Sequence, residues 1–184
     1  MADVFKVADF FVETAGDESD MTNLKLNKML FFAQGVHLAR TGTPLFDEPI
    51  MAWKFGPVIP EIYRKYNICQ NNPIGATGAN IDGVFAGDEQ DTLLDVLREY
   101  GKYSAGYLVT KTHEPESPWS RTAPNDMIAV DTIREYFESK EVVRSFADII
   151  KESKIPVIAG RRDENGVLVL PSEEYEDWGE YLEV

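Results

Sequence analysis

The stretch TNLKLNKMLFFAQGVHLAR, Thr22 to Arg40, decides the architecture, because its apolar residues do not keep to one stripe. Leu24, Leu26, Met29, Leu30, Phe31, Phe32, Ala33, Val36, Leu38 and Ala39 wrap most of a helical circumference and leave Asn23, Lys25, Asn27, Lys28 and Arg40 as the polar minority. A helix coated in this way belongs in the middle of a bundle, buried on most sides. Thr22 stands where an N-cap is needed, with Met21 and Leu26 at the two positions of a hydrophobic staple. Thr41-Gly42-Thr43-Pro44 then closes the helix in a turn.

Working outward, Val4, Phe5, Val7, Ala8, Phe10, Phe11 and Val12 recur at helical spacing and predict a helix over 3–15, ended by Gly16. On the other side, Pro49 to Trp53 reads as a short extended segment that runs into AWKFGPVIPEIY, Ala52 to Tyr63. Gly56-Pro57 is expected to make the turn out of that segment, and Pro60 fits the first turn of a helix, where its missing N–H has no intrahelical acceptor. This predicts an extended-turn-helix corner with Ile59, Ile62, Tyr63 and Tyr66 facing the core and Trp53 and Phe55 bracing it. Residues 67–87, rich in Asn and Gly, read as a surface loop. Further helices are predicted over 88–100, over 105–113 behind a Ser104 cap, and over 129–137, with HEPESPWSRTAP (113–124) as loop.

Past residue 138 the pattern changes. Val142-Val143 and Ile155 to Ile158 read as strands around a helix over 145–152, Asn165-Gly166 as a turn into Val167 to Leu170, and Ser172 as the cap of a last helix. The sequence thus predicts a mainly α fold: a compact multi-helix domain over 1–138 with one short extended segment, and a small α+β part over 139–184 containing a hairpin.

The composition, 43% hydrophobic and 11% aromatic over 184 residues, argues against disorder and allows a substantial core. A formal charge of −14 disfavours a phosphate backbone as partner for the whole surface and favours a basic protein, with attraction that speeds encounter and weakens in salt. The single cysteine, Cys69, leaves no internal disulfide and fits a reducing, cytoplasmic compartment. The N-terminus lacks a signal-peptide pattern, and no apolar run approaches the ~20 residues of a membrane span.

Groups able to do chemistry are sparse. His37 lies within the apolar helix and reads as a core histidine with a satisfied hydrogen bond. His113, Glu114 and Ser117 fall close together and invite a hydrolase reading, but proximity in a proline-broken loop is not triad geometry, and no glycine turn for an oxyanion accompanies it. Cys69 has no basic neighbour in sequence to activate it. Gly75 to Gly78 lacks the Lys-Ser/Thr pair of a phosphate loop. No catalytic residue, cofactor or metal is expected. The tail PSEEYEDWGEYLEV (171–184) reads either as a solvated acidic helix or as a binding strip, in which Tyr175, Trp178 and Tyr181 anchor a partner and Glu173, Glu174 and Asp177 steer it.

Three stretches in this order, TNLKLNKMLFFAQGVHLARTGTPLF, AWKFGPVIPEIYRKY and YLVTKTHEPESPW, resemble the Panacea domain of phage-associated proteins and of toxin-antitoxin modules, over roughly residues 3–137. The family usually shows T-x-L-K-L-Q-K-L-L-Y-F; Asn27 replaces Gln here, Phe31-Phe32 replaces Tyr-Phe, and Val36 stands where an aromatic is frequent. The resemblance implies a mostly helical, non-enzymatic antitoxin that neutralises a cognate protein toxin by binding it or, in some members, by delivering it to a protease. It marks Lys25, Lys28, Trp53, Phe55, Gly56, Pro57, Tyr63, His113 and Trp119 as motif residues, scaffold or contact. Residues 142–182 resemble the strand-helix-hairpin-helix head of prevent-host-death (Phd/YefM) antitoxins. That second resemblance implies a homodimer that autoregulates by binding operator DNA, with Arg161 and Arg162 as the candidate DNA contacts. The rival classes are an enzyme, which needs His113, Glu114 and Ser117 to converge, and a structural or phage-morphogenesis protein.

Overall fold

The structure, a computed structural model, describes residues 1–16, 20–140, 161–162 and 168–169. The chain divides into two compact units, Met1–Ser145 and Phe146–Val184. In the first, six α-helices are found among the described residues: α1 (Val4–Ala15), α2 (Asn23–Thr41), α3 (Pro60–Tyr66), α4 (Asp88–Tyr100), α5 (Ala105–Thr112) and α6 (Val130–Ser139). A hairpin of β1 (Met51–Trp53) and β2 (Gly56–Val58) joins α2 to α3. The fold is mainly α.

The local signals act where the sequence places them. Thr22 Oγ1 accepts from the Lys25 amide at 3.2 Å and Ser104 Oγ from the Tyr107 amide at 3.2 Å, each satisfying a first-turn donor that the helix itself leaves open. Gly16 and Gly42 follow α1 and α2 with φ of +74° and +73°. Helix α2 packs against each of the other five helices, and Leu26, Met29, Leu30, Ala33 and Val36 are wholly buried. Where α6 crosses α2, the ring of Phe137 fills the space that a side chain at Gly35 would need. Phe32 stacks on Tyr100 of α4 at 4.0 Å between ring centres.

Three expectations about this unit are corrected. The extended segment is a two-stranded antiparallel hairpin, with Met51 opposite Val58, Ala52 opposite Pro57 and Trp53 opposite Gly56. Its turn is Lys54-Phe55, and Gly56-Pro57 forms the second strand. Proline is tolerated there because β1 ladders on its far side with 125–128: the Ala52 amide donates to Asp126 O and that of Ile128 to Ile50 O, each at 2.8 Å, which leaves β2 as an edge. Second, Tyr63 and Phe55 do not face the core. Phe55 sits at the turn and is exposed, while Tyr63 lies about 100° around α3 from the buried Ile62. Third, Leu24 is partly exposed whereas Lys25, Asn27 and Lys28 are buried, so the polar minority of α2 faces inward. The 67–87 loop is mostly exposed but anchored. A 3-10 turn covers Asn67–Cys69, Ile74 donates its amide to Met21 O at 2.8 Å, and Phe85 packs edge-on against Phe10 at 5.9 Å.

In the second unit, β3 (Arg161–Arg162) pairs antiparallel with β4 (Leu168–Val169), Arg161 opposite Val169 and Arg162 opposite Leu168. The arginines, candidate DNA contacts, are strand residues, and the hairpin expected in this part is present. The strands at 142–143 and 155–158, the helix over 145–152, the Asn165-Gly166 turn and the Ser172-capped helix lie outside the described residues.

Candidate functional site

The polar side chains of α2 hold the corner that AWKFGPVIPEIY builds. Asn23 Nδ2 donates to Tyr63 O at 3.0 Å, Asn27 Oδ1 accepts from the Ile59 amide at 2.9 Å, and Lys28 Nζ donates to Pro57 O at 2.8 Å. Pro57 O lies on a short edge strand, the Ile59 N–H at the N-cap of α3 and Tyr63 O in its last turn, places where ladder and helix leave backbone groups for side chains to satisfy. Lys28 is fully buried, and loss of hydration pulls its ammonium down from the ordinary lysine range to about 7. Gly56 makes room for it. With φ +100°, a Cβ there would meet Thr112 Oγ1 at 2.7 Å and Lys28 Cε at 2.8 Å. One turn earlier on α2, Lys25 donates to Gly101 O at 2.8 Å and pairs with Asp20.

On the outer side of the same corner the aromatics gather. Trp53 meets Tyr63 edge to face at 5.1 Å, Trp119 donates its indole N–H to Trp53 O at 2.8 Å, and the His113 ring lies 3.6 Å from that of Trp119. A groove of about 450 Å³ opens between Trp53-Lys54 and the 119–125 segment. Phe55 is 59% exposed and Tyr63 38%. The corner thus has an inner half of Lys28, Gly56 and Pro57 and an outer half of Trp53, Phe55, Tyr63 and Trp119. Spacing alone could not separate these halves, since Trp53, Phe55, Gly56, Pro57 and Tyr63 are interleaved in one stretch.

His113, Glu114 and Ser117 are each engaged separately. His113 Nδ1 donates to Val109 O at 2.7 Å, Ser117 Oγ donates to Thr112 O at 2.8 Å, and Glu114 pairs with Lys111 at 2.9 Å and Lys140 at 3.6 Å. Lys111, as hydrogen-bond partner and charge, holds the Glu114 carboxyl below the usual carboxylate range. No hydrogen bond links the three side chains to one another among the described residues. His37 is buried beside Thr92 Oγ1 at 3.3 Å, and burial lowers its basicity.

A second surface went unnoticed in the sequence. Tyr100, Tyr103, Tyr107 and Tyr136 line a cleft of about 370 Å³ with Lys111, Glu114 and Lys140. Tyr103 stacks on Tyr107 at 4.3 Å, and Tyr136 donates to Glu114 at 3.3 Å. The spacing 100, 103, 107, from the end of α4 through the following turn into α5, is the signal that could have found it. The tail candidates Glu173, Glu174, Tyr175, Asp177, Trp178 and Tyr181 lie outside the described residues. Among the described residues, no three His, Cys, Asp or Glu side chains gather as metal ligands, and no helix is long and apolar enough to cross a membrane.

The site is thus a mainly helical scaffold in which Lys25 and Lys28 hold its own backbone while Phe55 and Tyr63 stay at the surface. A family model described as "Antitoxin SocA-like, Panacea domain" matches residues 26–120, and the chain belongs to that family. Antitoxin SocA of Caulobacter vibrioides (strain NA1000 / CB15N) is 32% identical over 130 residues, covering 64% of this chain and 68% of the relative. No solved structure matches. The family match stops short of the C-terminal part, so the Phd/YefM resemblance of residues 142–182 gains nothing from it.

Proposed function

We propose that this chain is the antitoxin of a toxin-antitoxin module, acting in the cytoplasm without chemistry of its own, and that it neutralises a cognate protein toxin by binding it directly. The observation that carries the reading is the division of the corner. Lys28, Gly56 and Pro57 are consumed in holding the scaffold, whereas Phe55 and Tyr63 face solvent beside the half-buried Trp53 and Trp119, and aromatic residues of this kind are enriched at protein interfaces. The acidic net charge favours a toxin with a basic surface, as expected of one that handles nucleic acid. The tail aromatics Tyr175, Trp178 and Tyr181 are a second proposed contact strip.

Co-expression with the protein encoded by the adjacent reading frame tests this. Growth arrest relieved by this chain, together with a complex that co-purifies, is the expected result. Relief that needs a host protease, with the toxin level falling, selects the adaptor mode instead. Retarded migration of the chain's own promoter DNA, abolished by replacing Arg161 and Arg162, would add autoregulation through the C-terminal part.

A further inference from the structure

Glu48 lies in the connection between α2 and β1. Its Oε2 atom is shut off from solvent and has no hydrogen-bond partner, alone in this among the side-chain atoms of the described residues. A carboxylate oxygen lost to water without a replacement donor is a standing cost, and native structures keep few of them. Partial burial raises the Glu48 carboxyl above the usual carboxylate range, and the negative field of Glu61, Asp3 and Asp47 adds to the effect, while the backbone N–H of Glu48 itself opposes it. The site therefore asks for a positive donor.

Glu48 lines a cavity of about 100 Å³ whose other walls include Phe46, Pro49, Ile50, Met127, Val130 and Ile133. Met127 is 61% and Val130 45% exposed, so the mouth is open and apolar. The walls are fixed by the backbone pairing of Met51 with Met127 and by the Ile128 amide on Ile50 O. Asn125, two residues before Met127, lines the separate groove beside Trp53. A largely apolar slot lined by a carboxylate with an unpaired oxygen matches a side chain with an aliphatic stem and a cationic head. The tyrosine cleft offers no such vacancy, because its Glu114 already holds two lysines.

We infer that this slot receives a lysine or arginine side chain of the toxin, whose stem lies against Met127 and Val130 and whose head pairs with the Glu48 carboxylate. The inference rests on the direct-binding reading above and names the chemistry by which the partner is held.

Two measurements on the full chain decide it. In the first, methyl and amide NMR signals are followed during titration with n-butylguanidinium and, separately, with neutral n-butylurea. The expected result is saturable shifts of Met127, Val130 and Ile133 with the cation alone, at least fivefold weaker in Glu48→Gln, whose thermal midpoint near pH 7.5 equals or exceeds that of the parent. Shifts that Glu48→Gln leaves unchanged, signals that do not move, or a lowered midpoint each overturn the slot and assign Glu48 to scaffold or to water. In the second, calorimetry with the adjacent-frame protein is expected to show Kd raised at least tenfold by Glu48→Gln and less than twofold by Asp82→Asn, an exposed carboxylate of the 67–87 loop. Equal affinity for parent and Glu48→Gln overturns this inference and leaves direct binding intact, whereas no binding even by the parent overturns direct binding and the slot's partner together.

Discussion

Lys28 Nζ sits 2.8 Å from the carbonyl oxygen of Pro57, so a wholly buried ammonium from the central helix carries the edge strand of the hairpin. The arrangement predicts an unusual pH dependence. Burial lowers the folded-state value from 10.5 to about 7, so between these limits the native protein binds fewer protons than the unfolded chain. Stability therefore rises with pH across that window, by on the order of 5 kcal/mol at full shift. Above pH 10 the trend reverses, because burial pushes Tyr100 up to about 12 and raises Tyr66 and Tyr136, and native tyrosines keep protons that the unfolded chain releases. Urea midpoints at pH 7 and 9.5 should differ in the parent and converge in Lys28→Met. Parallel slopes in the two proteins would refute the buried-lysine account.

Gly56 and Gly35 are two glycines of the helical unit expected to resist replacement. Gly56→Ala forces a side chain into a left-handed backbone and against Thr112 and Lys28, with an expected loss of about 1–3 kcal/mol from the backbone alone. Gly35→Ala collides with the Phe137 ring, costing about 1–3 kcal/mol by overpacking. Pairing it with Phe137→Leu should recover part of that loss in a double-mutant cycle of urea melts, and strict additivity would place the damage elsewhere.

Phe55→Ala should leave stability within about 0.5 kcal/mol, because the ring is mostly in solvent, yet weaken the toxin complex about tenfold or more if the outer corner is the contact face. Trp53→Ala should cost more stability than Phe55→Ala, since it removes a half-buried ring that packs on Tyr63. Melting curves and binding isotherms on the same samples separate the two effects. Unchanged affinity in Phe55→Ala would move the toxin face away from the hairpin.

For the tail, Trp178→Ala is expected to raise the off-rate about 10- to 100-fold, whereas replacing the acids of 171–184 with Gln slows association and reduces its salt sensitivity. Stopped-flow association and dissociation rates distinguish these. A chain ending at Leu170 that binds with unchanged kinetics would confine the toxin site to the helical unit.

By itself the sequence determined the local elements. The Thr22 and Ser104 caps, the Gly16 and Gly42 stops, Pro60 in the first turn of α3 and the periodicities of α1, α2, α4 and α6 depend on neighbours a few residues away, and that information is present in a linear string. It also showed that α2 must be central, since a helix apolar on most sides has no solvent face to offer. What only the tertiary structure decided is which polar residues serve the interior. Lys25, Asn27 and Lys28 look solvated by type, but each meets a backbone group distant in sequence, in the last two cases one left unpaired by the hairpin and α3. Glu48 reads as an ordinary loop acid until Met127, Val130 and Ile133, some eighty residues later, close around it. Burial and hydrogen-bond vacancy belong to pairs of distant segments, and no window of sequence contains both members of the pair.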